Sequence, residues 1–253
     1  MANKELDEKI LDIYNGSNSR YGAPKITNVL KANGTKASIK RVQRRMRLLD
    51  IHSITVKKYR PASTKAKQEE ATIYHNLIKQ DFKASKPGEK LVGDITYIYT
   101  AKQGWTYLAI VMDLFDHKVI GYSYGLNMSD DLSVNALKKA LANRSINKDC
   151  IFHSDRGVQY TSNRYETLLQ ENGIQHSYSK KGYPYDNAAM ESFNATLKKE
   201  EVNHKKYVDY NEARLSIFEF IESWYNLKRI HSSIGYLTPE QKYQEYLANQ
   251  IVS

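Results

Sequence analysis

The chain has 253 residues, 41% of them hydrophobic, one cysteine and a net charge of +10. That length holds one sizeable domain plus a small one, and a lone Cys150 excludes an internal disulfide, which suits a reducing cytoplasm. The N-terminus MANKELDEKILDIYNG lacks an apolar signal core, and the longest good apolar run, residues 107–112, is too short to span a bilayer. A soluble cytoplasmic protein with no membrane partner is expected. Eleven Lys and Arg fall within residues 36–67 against one acid, Asp50, so this stretch holds the whole excess of +10 and the remainder is neutral. A single-sign run of this kind reads as a polyanion-binding segment, because a merely solvated face carries mixed charge.

Residues 4–14 (KELDEKILDIY) read as a helix with Leu6, Ile10, Ile13 and Tyr14 on one face, ended by the turn residues NGSNS. In YGAPKITNVLKANG, Pro24 suits a first helical turn, Ile26, Val29 and Leu30 line one face, and Gly34 stops the helix. TKASIKRVQRRMRLLDI is a third helix capped near Thr35 or Ser38. Its apolar face is Ile39, Val42, Met46 and Leu49, while Lys40, Arg41, Arg44, Arg45 and Arg47 cover the rest. Short helices, a Gly turn and a basic last helix suggest a helix-turn-helix-like DNA-binding domain over residues 1–51. Small helical hairpins are common, and basic helices also pack against acidic proteins, so this signal alone leaves both readings open. Residues 52–89 read as a basic linker in which Lys57, Lys58 and Arg60 track DNA, ATIYHNLIKQDF is compatible with one short helix, and ASKPGEK forms a turn-rich boundary.

The core starts near residue 90. LVGDITYIYT, GWTYLAIVMDLF and HKVIGYSYGLN are strand-like, with turns at Gly104 and at Asp116 and His117, and read as an antiparallel meander. A helix N-capped by Ser129 follows, then the buried strand DCIFHSD, a helix beginning near Ser162, and the strand IQHSYS. The next helix begins after Pro184 with Asp186 or Asn187 as N-cap. From about residue 204 the chain is helical again, with Leu215, Phe218, Ile221, Trp224 and Tyr225 facing inward. Periodicity supports an α/β sheet with helices packed on it.

Asp94 interrupts a run of strand formers, where a charge is costly to bury alone. Asp155 ends the strand DCIFHSD. In the helix after Pro184, Met190, Phe193 and Leu197 form the apolar face and leave Glu191 on an adjacent one, free to point where Asp155 points. Carboxylates aimed at one pocket repel unless protonated or bridged by a cation. Hard oxygen ligands without a His/Cys cluster suit Mg2+ or Mn2+ better than zinc. Asp113 and Asp116 read as turn and edge residues, and His153 alternates to the opposite side of its strand as a structural residue. Lys198, two turns beyond Glu191, either contacts the end DNA or is a solvated helix lysine, and Lys181, in the loop beside the site, is a further DNA-contact candidate. Arg229 and His231 at a helix end either approach phosphate or tie down the helix C-terminus through its dipole.

Asp94 and Asp155 are 61 positions apart, and 35 residues separate Asp155 from Glu191. With the words GDITYI, HSDRGVQY, KKGYPYDNAAMESF and WYNLKRIHSSIGYLTP, this resembles the D,D(35)E signature of the second-frame (orfB) transposases of the IS-three family of insertion sequences. The resemblance runs from about residue 20 to residue 245. It implies a ribonuclease H-like, retroviral integrase-type catalytic domain over 90–253, extended by the C-terminal helices. It also implies Asp94, Asp155 and Glu191 as catalytic ligands of two Mg2+ or Mn2+ ions. The implied partners are double-stranded DNA, as transposon terminal inverted repeats and target, and further copies of the chain on that DNA. Leu91 stands where the family often carries Trp, and no heptad run long enough for the zipper of the upstream frame occurs, which points to an upstream-frame protein or a frameshift fusion as a further partner. The setting implied is the bacterial cytoplasm, at the nucleoid. Two other readings are a related integrase or ribonuclease H-type nuclease and a non-catalytic DNA-binding regulator. The basic N-terminal domain argues against the first and the intact acid triad against the second.

Overall fold

The computed structural model describes residues 3–55, 74–180 and 184–252. It divides into two compact bodies, Met1–Arg60 with Arg229–Leu237, and Pro61–Lys228 with Thr238–Ser253.

The first body contains α1 (Asn3–Gly16), α2 (Ala23–Ala32) and α3 (Ile39–Leu48). Leu6, Ile10, Ile26, Leu30, Val42 and Met46, spaced three or four apart on their helices, are its buried core. Ser38 caps α3 by accepting from the Arg41 amide at 3.2 Å, which satisfies one of the free donors of the first turn. Ile39, expected inside, is 47% exposed; as the first residue of α3 it lies ahead of the Val42–Met46 stripe. The Arg229–Leu237 segment joins this body. Its Ile230 amide donates to the Tyr21 hydroxyl at 3.0 Å, and His231 and Leu237 form an antiparallel bridge around the turn Ser232–Ile234. The C-terminal extension expected from about residue 204 is therefore interrupted by a segment that folds with the N-terminal helices.

The second body is built on a sheet of β1 (Lys90–Thr100), β2 (Gly104–Asp113), β3 (Val119–Gly125), β4 (Ile151–Ser154) and β5 (Gln175–Tyr178) in the order β3-β2-β1-β4-β5. The first three strands form the expected antiparallel meander, and β4 and β5 add in parallel. Parallel neighbours need a crossover, supplied by α4 (Asp130–Asn143) before β4 and α5 (Asn163–Glu171) before β5. Leu91, Val111, Ile120, Leu137, Phe152 and Tyr165 sit in the buried cluster under α4 and α5. Gly121 makes the close packing of α4 possible, since a Cβ there would lie 2.3 Å from the Ala136 carbonyl oxygen. After β5 come α6 (Ala188–Glu200), α7 (Tyr210–Glu219) and α8 (Pro239–Val252).

Three expectations change here. Residues 74–82 form turns rather than a helix: the segment is stitched to β5, with Tyr178 N–H donating to the His75 carbonyl at 2.9 Å and the Leu77 amide to Ser177 Oγ at 2.9 Å. Tertiary hydrogen bonds override the weak helical pattern, so this part of the expected linker belongs to the sheet. Leu215 and Phe218 are exposed, at 59% and 50%. The inward residues are Ala213, Ser216, Ile217, Phe220 and Ile221, because α7 runs into a π-helical turn, Phe220–Tyr225, that brings Trp224 and Tyr225 inside as well. Asp113 and Asp116 are wholly buried, not at an edge. Both accept from Arg144 Nη1 at 2.8 Å, and the guanidinium stacks over Tyr243. Burial, together with the neighbouring Asp116 carboxylate, still pushes Asp113 up to about 6.

Candidate active site

Asp94 lies in mid-β1, opposite Ile110 of β2. On its other side β4 runs parallel in a register that pairs Leu91 with Phe152 and Val92 with His153. Continued past the end of β4, that register brings Asp155 level with Asp94. Gly93 permits this pairing, since a Cβ there would lie 2.5 Å from Phe152 Cζ. Asp155 is exposed, and its Oδ1 accepts from the Gly157 amide at 2.8 Å. A Cβ at Gly157 would come within 2.9 Å of that oxygen and would push the carboxylate aside.

α6 delivers the third acid. Met190, Phe193 and Leu197 are buried and Glu191 is exposed, as the helical pattern predicts. One turn beyond Glu191, Asn194 Nδ2 donates to Asp94 Oδ2 at 2.7 Å, so the helix face bearing Glu191 is fastened to the strand bearing Asp94. At its far end α6 is held through Glu200, which accepts from Trp224 Nε1 at 3.0 Å. Asn194 was not foreseen as part of the site, although its spacing from Glu191 carries the signal.

Asp94 is pushed up to about 7, first by burial, then by the Asp155 carboxylate, with Glu191 adding to the effect; the Ile95 amide and Asn194 oppose it. Asp155 and Glu191 thus both act electrostatically on Asp94. Two further groups hold the frame. His153 is fully buried on the face away from solvent; its Nδ1 meets Ser177 Oγ at 2.8 Å and its Nε2 the Asp186 carbonyl oxygen at 2.8 Å. It ties β4 to β5 and to the 3-10 turn Pro184–Asn187 that leads into α6, and burial lowers its pKa. Asp186 is not the helix cap. Its carboxylate accepts from Asn76 Nδ2, Gln80 Nε2 and the Lys180 amide at 3.1, 2.8 and 2.9 Å. Asn187 occupies the cap position without a side-chain cap bond.

Among the described residues no three His, Cys, Asp or Glu are drawn together tightly enough to hold an ion as they stand. The donor set nonetheless fits a hard divalent cation. It consists of the Asp94 carboxylate, on which Asp155 and Glu191 both act, beside a buried Asn194 Oδ1 with no hydrogen-bond partner among the described residues. An ion would relieve the repulsion and accept oxygen donors of this kind.

The expected DNA-contacting residues are distributed as follows. Lys40 and Arg44 are exposed on α3. Arg41 reaches Asn3 Oδ1 at 3.2 Å. Arg45 Nε donates to Asp7 Oδ1 at 2.6 Å, which holds the Asp7 carboxyl below its ordinary range. Arg229 Nη1 lies 3.2 Å from His231 Nδ1, and both belong to the first body. Lys198 is half-buried on α6. Lys57, Lys58, Arg60 and Lys181 lie outside the described residues.

Comparison with known proteins agrees with this geometry. Residues 84–184 and 172–239 match integrase core domain models, and residues 2–59 match an HTH-like domain. A chain of the simian T-cell lymphotropic virus intasome shares the fold, with a TM-score of 0.52 at 14% identity over 92% of this chain and 74% of that one. Sheet, acids and integrase core together define an enzyme of the transposase and integrase class, in which dependence on divalent metal is general. The transposase of insertion sequence element IS904 from Lactococcus lactis is 40% identical over 93% of this chain and 92% of its own length. Transposase InsF of insertion sequence IS3A from Escherichia coli is 38% identical over 97% and 84%. The chain belongs to the IS3 family of insertion-sequence transposases.

Proposed function

We propose that Asp94, Asp155 and Glu191 are the catalytic acids and that they hold two Mg2+ or Mn2+ ions for cleavage at transposon ends and strand transfer. The observation that supports this best is that Asp94 of β1 feels the carboxylates of Asp155, at the end of β4, and Glu191, on α6, beside an amide that fixes it. Bound divalent ions supply charge stabilisation at the attacking and leaving oxygens of an in-line phosphodiester displacement. The chain's own part is orientation. The Gly157 amide fixes one Asp155 oxygen, Asn194 fixes one Asp94 oxygen, and Glu191 completes the set from the open side. Burial first, and then the Asp155 and Glu191 carboxylates, raise the pKa of the Asp94 carboxyl, so a divalent cation held here would favour its charged form. A 3′-hydroxyl freed by hydrolysis at one end then attacks a second phosphodiester, with no covalent enzyme intermediate.

Residues 1–51 are the DNA-binding domain in this reading and 90–253 the catalytic one. Lys40, Arg41 and Arg44 on α3, with Lys57, Lys58 and Arg60, grip the backbone of the terminal inverted repeats; Lys181 and Lys198 hold the end beside the acids; Arg229 and His231 meet phosphate. Arg45, already paired with Asp7, orients α3 on α1. Two transposon ends and a target must meet, which calls for a homo-oligomer on DNA, with an upstream-frame protein or fusion as additional end-binder, in the cytoplasm at the nucleoid. The test is Asp155→Asn with terminal-repeat oligonucleotides. Mg2+-dependent cleavage and joining should vanish while binding persists; unchanged joining would remove the metal-site assignment.

A further inference from the structure

One polar chain in the second body has no part in the chemistry above. Glu166, in the first turn of α5, accepts from His176 Nδ1 at 2.7 Å and from the Tyr178 hydroxyl. His176 Nε2 meets Ser154 Oγ at 2.9 Å, and Ser154 Oγ lies 2.8 Å from the Asp155 carbonyl oxygen; its one proton goes to that carbonyl when Nε2 donates, that is when the ring is an imidazolium paired with Glu166, a form that burial opposes and the Glu166 carboxylate favours. The period of two in β5 places His176 and Tyr178 on one face, with ring centroids 3.9 Å apart. The same three residue types perform nucleophilic catalysis elsewhere. Here Ser154 has no exposed surface, so no substrate reaches its oxygen. What the chain does reach is the backbone of Asp155, at the point where β4 ends and the exposed acid begins.

We propose that Glu166, His176 and Ser154 are positioning residues that fix the Asp155 peptide and so aim its carboxylate at the cation and the scissile phosphate. The proposal rests on the reading of Asp155 as a metal-binding acid. Among the described residues Asp155 is otherwise held at its side chain, by the Gly157 amide two residues along in the same turn. A carboxylate at a strand end, on an exposed turn, gains its direction from the groups behind it. Second-layer hydrogen bonds of this kind typically account for ten- to hundredfold, on the order of, in metal affinity or activity.

The competing account is that His176 merely packs, since its ring lies against Phe152 and Tyr178. Two amide substitutions separate the accounts. His176→Gln places an amide near the Nε2 position and can keep the Ser154 contact. His176→Asn places one near Nδ1, keeps Glu166 and loses Ser154. Full-length protein carrying each change, together with Ser154→Ala and Asp155→Asn, is assayed for strand-joining kcat and KM with end oligonucleotides. Mn2+ binding is followed by calorimetry and folding by thermal melting. We expect His176→Asn and Ser154→Ala to lower kcat and weaken Mn2+ binding by about ten- to hundredfold with KM for DNA unchanged, and His176→Gln, which keeps the donor to Ser154 but loses the Glu166 pair, to recover most but not all of both. Equal impairment of the Asn and Gln variants, or normal Mn2+ binding and joining in His176→Asn, overturns the relay. Should His176→Asn fail to fold, Ser154→Ala decides, and its normal behaviour overturns the proposal in the same way. Joining by Asp155→Asn would instead overturn the site assignment, and the relay with it.

Discussion

Asp94→Asn should make the metal-free protein more stable while destroying its chemistry. The carboxyl sits at about 7 against an ordinary value of 3.8, raised first by burial and then by Asp155 and Glu191. Below about pH 4 the group is protonated in both the folded and the unfolded chain, and it adds no cost. Between about 4 and 7 the folded chain binds more protons than the unfolded one, so stability falls as pH rises through this window, and above 7 the full cost is in force. A shift of about three units corresponds to about 4 kcal/mol at most, and partial access of water to the carboxylate brings the expectation down to about 2 kcal/mol. An Asn side chain can still accept from Asn194 and carries no charge. In chelator at pH 8 the variant should therefore melt about 5 °C above wild type, with the gain shrinking towards zero at pH 4. Added Mn2+ should raise the melting temperature of wild type and leave that of the variant nearly unmoved. Calorimetric scans at the two pH values, with and without Mn2+, measure all of this. A variant no more stable than wild type at pH 8 would refute the claim that burial and the neighbouring carboxylates strain the ionised Asp94 in the folded chain.

Arg144→Leu leaves two buried carboxylates without their cation and should cost about 3–5 kcal/mol in urea unfolding at pH 8; the loss should be smaller at pH 5, where Asp113, which titrates near 6, takes up a proton. Gly121→Ala should cost about 1–3 kcal/mol, because α4 must lift off β3 to admit the methyl; an unchanged urea midpoint would contradict the packing. Arg44→Ala should reduce the slope of log affinity against log salt for DNA by about one, while Arg45→Ala should lower the thermal stability of the helical body and leave that slope nearly intact. Equal slopes for the two variants would show that the Asp7 pair does not withdraw Arg45 from DNA.

Much of this architecture could be read in advance because it follows regular periods. The stripes on α1, α2 and α6, the meander and the buried β4 all follow from apolar spacing. The failures share a cause: each depended on contacts distant in sequence. Residues 74–82 carry a passable helical pattern, and nothing local reveals that Leu77 and His75 bond to β5. Asp186 resembles a helix cap until Asn76 and Gln80, more than a hundred residues upstream, claim its carboxylate. Asp113 and Asp116 do serve the turn after β2, but nothing local reveals that both will be buried against Arg144. Leu215 and Phe218 were misplaced because a π-helical turn shifts the phase of the stripe they belong to. Asn194 and His176 are ordinary polar residues in sequence and acquire meaning only through what they touch.

The membership of Arg229–Leu237 in the N-terminal body bears on how this protein can be dissected. A truncation that stops near residue 60 omits the amide that donates to the Tyr21 hydroxyl. The excised DNA-reading fragment would then lack a piece of its own tertiary structure, encoded far downstream. Supplying the Arg229–Leu237 peptide in trans, or grafting it behind α3 through a short tether, is the way to obtain that module intact.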